Sequence, residues 1–283
     1  MRSHSISNAN AGSFEIRFPG DGQSRDQDQE WFEVNLDGRF RRLRIHDYAG
    51  LYAVRGLYEA LVYKTLKCRS PGRIVHLLAT VLQDWPGALG DLRILDLGAG
   101  NGIVAEHLRE AGARHIVGLD LIPEAAMAAR RDRPGVYDDY VVADLKDLAP
   151  ADEQRLQHHS LNCLVTVAAL GFGDVPPAAF ARAFNLIADG GWLAMTIKED
   201  FLDPGEGGGF GQLVHQMIAH RCLEVHAHHR YCHRISIAGE KLFYVALVAR
   251  KSRPVPQRMV VGATKPQVTD NGIADYTTVL LKR

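Results

Sequence analysis

The sequence predicts an α/β fold: a doubly wound, mostly parallel seven-stranded sheet with a closing antiparallel hairpin, preceded by an N-terminal hairpin and cap helices. Three observations predict it. From residue 92 onward, short apolar runs alternate with amphipathic stretches, the pattern of a parallel sheet covered by helices on both faces. A glycine-rich segment, LDLGAGNG at Leu95–Gly102, stands between the first strand and the first helix of that series. Two long runs, LEVHAHHRYCHRISI and KLFYVALVARK, meet around Ala238–Gly239–Glu240 and read as the hairpin.

Taken in order, residues 1–29 are rich in Ser, Asn, Gly, Gln and Asp and predict a flexible tail. Residues 30–90 predict a hairpin and a helical cap. WFEVNL and RFRRLRI flank Asp37–Gly38, a strong hairpin signal. VRGLYEALVYKTL predicts a helix, with Leu57, Leu61 and Leu66 near one stripe. Ser70–Pro71 reads as an N-cap followed by proline at the first helical position, with the next helix ending at Pro86–Gly87. Residues 91–251 form the alternating core. Its strands are LRILDLG, HIVGLDL, DYVVADL, LNCLVTVAAL and GWLAMTIKED, with helices between them and GFGQLVHQMIAHR before the hairpin. Residues 252–283 predict an extended C-terminal segment in which YTTVLLKR can pack.

Composition narrows the function classes. Lys plus Arg is 33 and Asp plus Glu is 33, without the basic excess that phosphate neutralisation usually demands of a nucleic-acid binder. No nucleic-acid partner is therefore expected. No apolar run approaches the roughly 18–20 residues that span a bilayer, and the first residues carry no apolar signal-peptide core. Cys68, Cys163, Cys222 and Cys232 are scattered and read as reduced thiols, so a cytoplasmic protein is expected. The sequence leaves a homodimer open.

The glycine loop carries the chemistry. Ligands of open α/β sheets bind outside the carboxyl ends of the strands, where glycines admit a close approach to the backbone. A dinucleotide fingerprint is GxGxxG. Here the spacing is GxGxG, with Asp96 two residues upstream and Ile103 at the third-glycine position. An acidic residue there suits a cationic amino group better than a pyrophosphate. Asp120 ends the second strand and can accept from ribose hydroxyls. Asp144 ends the third, placed to accept from an adenine amine beside the Leu145 amide.

On these segments, LDLGAGNG, VGLD and VVADL, the chain resembles the class I S-adenosylmethionine-dependent methyltransferases, over roughly Leu92 to Lys251. The resemblance implies S-adenosyl-L-methionine as cofactor. It implies a cofactor site of Asp96, Gly98, Ala99, Gly100, Asn101, Gly102, Asp120, Leu121, Asp144, Leu145 and Ala168, with Tyr48 from the cap. A nicotinamide-binding domain and an S-adenosylmethionine-binding protein without turnover are the alternatives.

The methyl acceptor is less legible. Amino-methyltransferases often carry Asn or Asp, Pro-Pro and an aromatic residue after the fourth strand. Here VAALGFGDVPP places Pro176–Pro177 too late, which points to a small-molecule acceptor. Glu199 and Asp200 follow the fifth strand and are candidates for a base or for holding a substrate ammonium; Tyr52 is the third catalytic candidate. Tyr58, Phe172, Asp174, His233 and Arg234 are candidate substrate contacts, with Arg55 as a further carboxylate partner. Aromatic rings of Tyr48, Tyr52 and Tyr58 suit a sulfonium cation. No metal is expected: alternation along a strand splits His226 and His228 from His229 and His233. With no compelling base after the fourth strand, a sulfur nucleophile such as the methionine thioether is one reading. O- or N-methylation of a natural product or metabolite is the other.

Overall fold

The computed structural model describes residues 2–8, 12–20, 25–171, 174–202 and 209–263. Four antiparallel strands come first: β1 (Arg2–Asn8), β2 (Gly12–Phe18), β3 (Trp31–Leu36) and β4 (Arg39–Arg44), in that spatial order. The expected hairpin lies between β3 and β4, and Asp37 and Gly38 both have positive φ, as a type I′ turn requires. Where a flexible tail is expected over 1–29, the chain instead supplies β1, β2 and a single turn at Gln27–Gln29. The reason is alternation that a polar composition conceals. Phe14, Ile16 and Phe18 bury one face of β2 against Phe32 and Val34, over Leu51, Leu57 and Leu61.

A short helix α1 (Tyr48–Ala53) follows, capped by the Asp47 side chain accepting from the Gly50 amide. The expected helix through Val54–Leu66 is broken at Gly56, which takes φ +75°. The chain then winds a π-helical turn at Glu59–Thr65. Ser70 does not cap α2 (Ser70–Leu82); Arg69 holds that place. The Ser70 hydroxyl is buried and engaged elsewhere, 2.5 Å from Tyr231 Oη and 2.6 Å from His233 Nδ1.

The core then runs β5 (Arg93–Leu97), α3 (Ile103–Glu110), β6 (His115–Asp120), α4 (Pro123–Asp132), β7 (Asp139–Val142), α5 (Pro150–His158), β8 (Cys163–Thr166), α6 (Pro177–Leu186) and β9 (Trp192–Lys198). After α7 (Phe210–Ala219) come β10 (Leu223–Ile235), β11 (Lys241–Lys251) and α8 (Gln257–Ala263). The seven-stranded sheet has the order β10-β11-β9-β8-β5-β6-β7, with β11 antiparallel to both neighbours and the rest parallel. Leu95 and Leu97 face one core, shared with Phe180, Phe184 and Leu213. Ile94 faces the other, with Ile74, Leu78 and Leu108. Strand order reverses between β5 and β8, which opens a crevice at their carboxyl ends.

Two register shifts interrupt β10, at Val225/Ala227 and Cys232/Arg234. Strict alternation therefore fails, and the consecutive residues His233 and Arg234 are both buried. His226 packs edge-on against Trp85 and Trp192. Among the described residues, no helix is long and apolar enough to cross a membrane. The YTTVLLKR segment lies outside the described residues.

Candidate active site

The loop after β5 is shaped by three glycines of positive φ: Gly98 at +73°, Gly100 at +53° and Gly102 at +86°. Space is the second constraint. A Cβ on Gly98 would lie 2.6 Å from Ala169 Cβ, and one on Gly100 would lie 2.5 Å from Tyr52 Oη. Any side chain here would need both a strained backbone and displaced neighbours. The loop is also tied to the next strand. Gly98 and Ala99 amides donate to the Leu119 carbonyl, and the Gly100 amide donates to Asp120 Oδ2 at 2.9 Å.

Asp120 Oδ1 accepts from the Ile122 amide at 3.1 Å. Burial pushes its carboxyl above the usual range, and the backbone amides of Gly100, Ile122 and Leu121 pull it back. Asp144 accepts from the Lys146 amide at 2.8 Å, with Lys146 Nζ 3.6 Å away. Both acids line a cavity of about 260 Å³ at the crevice, with Leu121, Leu145, Ala168 and Asp174. Leu121 stands at its mouth and is 55% exposed.

Asp96 lines neither this cavity nor its neighbour. Alternation along β5 turns it to the α2–α3 side, beneath the loop, where Tyr137 Oη donates to its Oδ2 at 2.7 Å and to the Ala99 carbonyl at 3.1 Å. Its Oδ1 is buried without a hydrogen-bond partner. Burial lifts this carboxyl to about 7, against the Tyr137 hydrogen bond, with nearby Asp120 adding to the rise.

Asn101 joins the loop to the cap. Its Nδ2 donates to Glu59 Oε1 at 2.7 Å, which also accepts from Arg133 Nη1 at 2.9 Å. Arg133 further donates to the Asn101 carbonyl and to Glu106. This polar knot fixes the π-helical turn over the glycine loop.

Tyr48, Tyr52 and Tyr58 gather into one cluster. The Tyr52 and Tyr58 ring centroids are 5.0 Å apart, and Tyr48 stacks on Tyr52 at 6.1 Å. Burial raises all three phenols above their ordinary values. All three line the first cavity and also a second, inner one of about 60 Å³. Gln27, His46, Ser70, His233, Arg234 and Tyr244 line this inner cavity, and the glycine loop borders it.

His46 was not a candidate from sequence. Its Nδ1 lies 3.5 Å from Asp174 Oδ2, across 128 residues of chain, so no local pattern marks the pair. Asp174 faces the outer cavity and His46 the inner one, so the pair sits where the two meet.

Of the remaining candidates, His233 and Arg234 reach the inner cavity, whereas Glu199, Asp200 and Arg55 lie outside both. Glu199 accepts from Arg230 at 2.6 Å, and Asp200, 63% exposed, pairs with Lys198 at 2.8 Å. Neither lines either of these two cavities, because the turn after β9 carries them away from the crevice. Arg234 is buried against Glu30 at 2.5 Å and also donates to the Ile235 carbonyl. His233 is held by Ser70 and stacks on Tyr244 at 4.0 Å. Burial, then the charges of Arg234 and His46, push its imidazole well below the ordinary range, so it is neutral. Arg55 lies 3.8 Å from Asp132, outside both cavities. Phe172 lies outside the described residues.

Comparison with known proteins agrees with this geometry. A family model described as a methyltransferase domain matches residues 57–238. A ubiquinone biosynthesis O-methyltransferase of Bordetella pertussis is 34% identical over 116 residues, 40% of this chain and 45% of that one. One from Xanthomonas oryzae pv. oryzae is 31% identical over 146 residues, 49% and 58% of the two chains. The matches thus span about half the length of these relatives. The solved N-methyltransferase NodS of Bradyrhizobium japonicum, in complex with S-adenosyl-L-homocysteine, shares the fold with a TM-score of 0.50 and 14% identity, covering 74% of this chain and 98% of that one. The glycine cradle leaves room that a Cβ would fill, the acids stand at successive strand tips, and the family model covers most of the chain. The chain therefore belongs to the methyltransferase-domain family and has the class I fold, with a cradle that fits S-adenosylmethionine.

Proposed function

We propose that the chain methylates an oxygen of a small-molecule acceptor, and that His46, aligned by Asp174, is the base. The observation that carries this reading is the His46–Asp174 pair at the junction of the two cavities. An acceptor hydroxyl must lose its proton as it attacks, and an imidazole oriented by a carboxylate is a fit group to take it. The relatives named as O-methyltransferases support the same atom, although each match covers less than half of this chain.

S-adenosylmethionine supplies the methyl group, as a sulfonium carbon open to displacement. Gly98, Gly100 and Gly102 let it approach the backbone. Asp120 holds the ribose hydroxyls with the acceptor capacity left on its oxygens, and Asp144 with Leu145 takes the adenine. The tyrosines exclude water from the crevice and present ring faces to the cation. His46 receives the acceptor's proton, and Asp174 stabilises the imidazolium that results.

The methionine thioether is disfavoured by the placements above. Glu199 and Asp200 are outside the cavities, and Arg234 is committed to Glu30, so the groups assigned to its ammonium and carboxylate are not at hand. His46 also removes the premise that no base exists. Labelled cofactor incubated with a metabolite extract provides the test. We expect a methoxy product by mass spectrometry. His46→Gln is expected to lower kcat by 10²-fold or more, on the order of a lost general base. A sulfonium product, or a His46→Gln variant with undiminished kcat, refutes the reading.

A further inference from the structure

Resting on the oxygen-acceptor reading, we infer that the inner cavity is an acceptor subsite in which the Gln27 amide selects an uncharged compound bearing a carbonyl oxygen beside its reacting hydroxyl. Gln27 belongs to the turn that precedes β3, is 4% exposed and lines the inner cavity. Tyr244 Oη donates to its Oε1 at 3.1 Å, which fixes the orientation of the amide. Its Nε2 is left buried with no hydrogen-bond partner. A buried donor without an acceptor is unfavourable, so such a group in a cavity wall marks where a ligand oxygen belongs.

The charge of that oxygen follows from the neighbours. Arg234 is matched by Glu30, His46 stands against Asp174, and His233 is neutral. The described walls thus hold no cation in excess, and an unpaired carboxylate is far more expensive to bury than a neutral carbonyl. The position fits as well. The inner cavity shares Tyr48, Tyr52, Tyr58, Gly98, Val167 and Ala168 with the cofactor cavity, and His46 lies on its wall. One ligand can reach the base and the Gln27 donor from this chamber.

The test uses the full chain, saturated with S-adenosylhomocysteine, and three probes: 2-hydroxyacetophenone, 2-ethylphenol and salicylate. Calorimetry is expected to show the ketone binding about tenfold tighter than 2-ethylphenol, the order of one hydrogen bond, with salicylate weakest. Gln27→Met is expected to erase the preference with less than about a twofold change in S-adenosylhomocysteine affinity, since that ligand does not depend on this hydrogen bond. Gln27→Glu keeps the shape and removes the donor, so it reports the same loss should the Met variant fail to fold. Equal binding of ketone and ethylphenol, or tightest binding of salicylate, overturns the proposal. So does a Gln27 variant that loses S-adenosylhomocysteine instead, for then the amide serves the cofactor's amino-acid end. Binding is read without turnover. Ketone selectivity with no methoxy product would therefore refute only the oxygen reading.

Discussion

Asp96 shows how much one residue's environment changes its task. The sequence places an acid two residues before the first loop glycine, where it suits the cofactor's ammonium. In the fold its side chain points beneath the loop to Tyr137, and one oxygen is unpartnered. Its carboxyl titrates near 7, above the ordinary value of 3.8. A raised folded pKa means that the native state binds more protons than the unfolded chain between these values. The stability it contributes is present below about 4 and lost as pH rises through about 7, by up to about 4 kcal/mol. Asp96→Asn keeps an acceptor for Tyr137 and removes the titration. Urea unfolding of both proteins across this range is expected to show the Asn variant gaining on the parent as pH rises. A constant difference between them would refute the assignment.

At the scale of elements, the π-helical turn at Glu59–Thr65 is held to the glycine loop through Glu59, Asn101 and Arg133. None of the three is near another in sequence, and Glu59 reads there only as one polar residue of an amphipathic stretch. The hydrogen bonds act on the loop, not on the ligand. Glu59→Leu is therefore expected to weaken S-adenosylhomocysteine binding about tenfold by loosening Asn101, while Arg133 retains Glu106. Isothermal calorimetry measures this, and an unchanged affinity would show that the knot is ornamental to the cofactor. The same contrast explains what was legible. LDLGAGNG, Asp120 and Asp144 are local signals, because each sits at a strand end whose neighbours announce it. His46, Gln27 and Glu59 act through partners tens to hundreds of residues away. Glu199 and Asp200 misled because their distance from β9 predicts the right edge of the sheet but not the direction of the turn that follows.

For the whole molecule, the important junction is between the two sheets. Glu30, just before β3, meets Arg234 of β10 in a pair that is 1% and 4% exposed, and its second oxygen accepts from the Ile237 amide at 2.7 Å. Gln27 and Tyr244 make a second link nearby. Removing one member of a buried pair strands the other, a loss of about 3–5 kcal/mol. Arg234→Met is thus expected to lower the denaturation midpoint sharply, whereas the double change Arg234→Met with Glu30→Leu recovers much of it. Equal effects of the single and double variants would show that the two sheets are not coupled through this pair.

The roof of the crevice begins before the family does. Gln27, His46, Tyr48 and Tyr52 all precede residue 57, where the match to the methyltransferase domain starts, yet they wall the chambers that the domain opens. The chambers are thereby built jointly, with the glycine loop and strand-tip acids inside the matched domain and part of their roof before it. A graft of this segment would carry walls of both chambers with it, Tyr48 and Tyr52 of the cofactor cavity as well as Gln27 and His46 of the inner one.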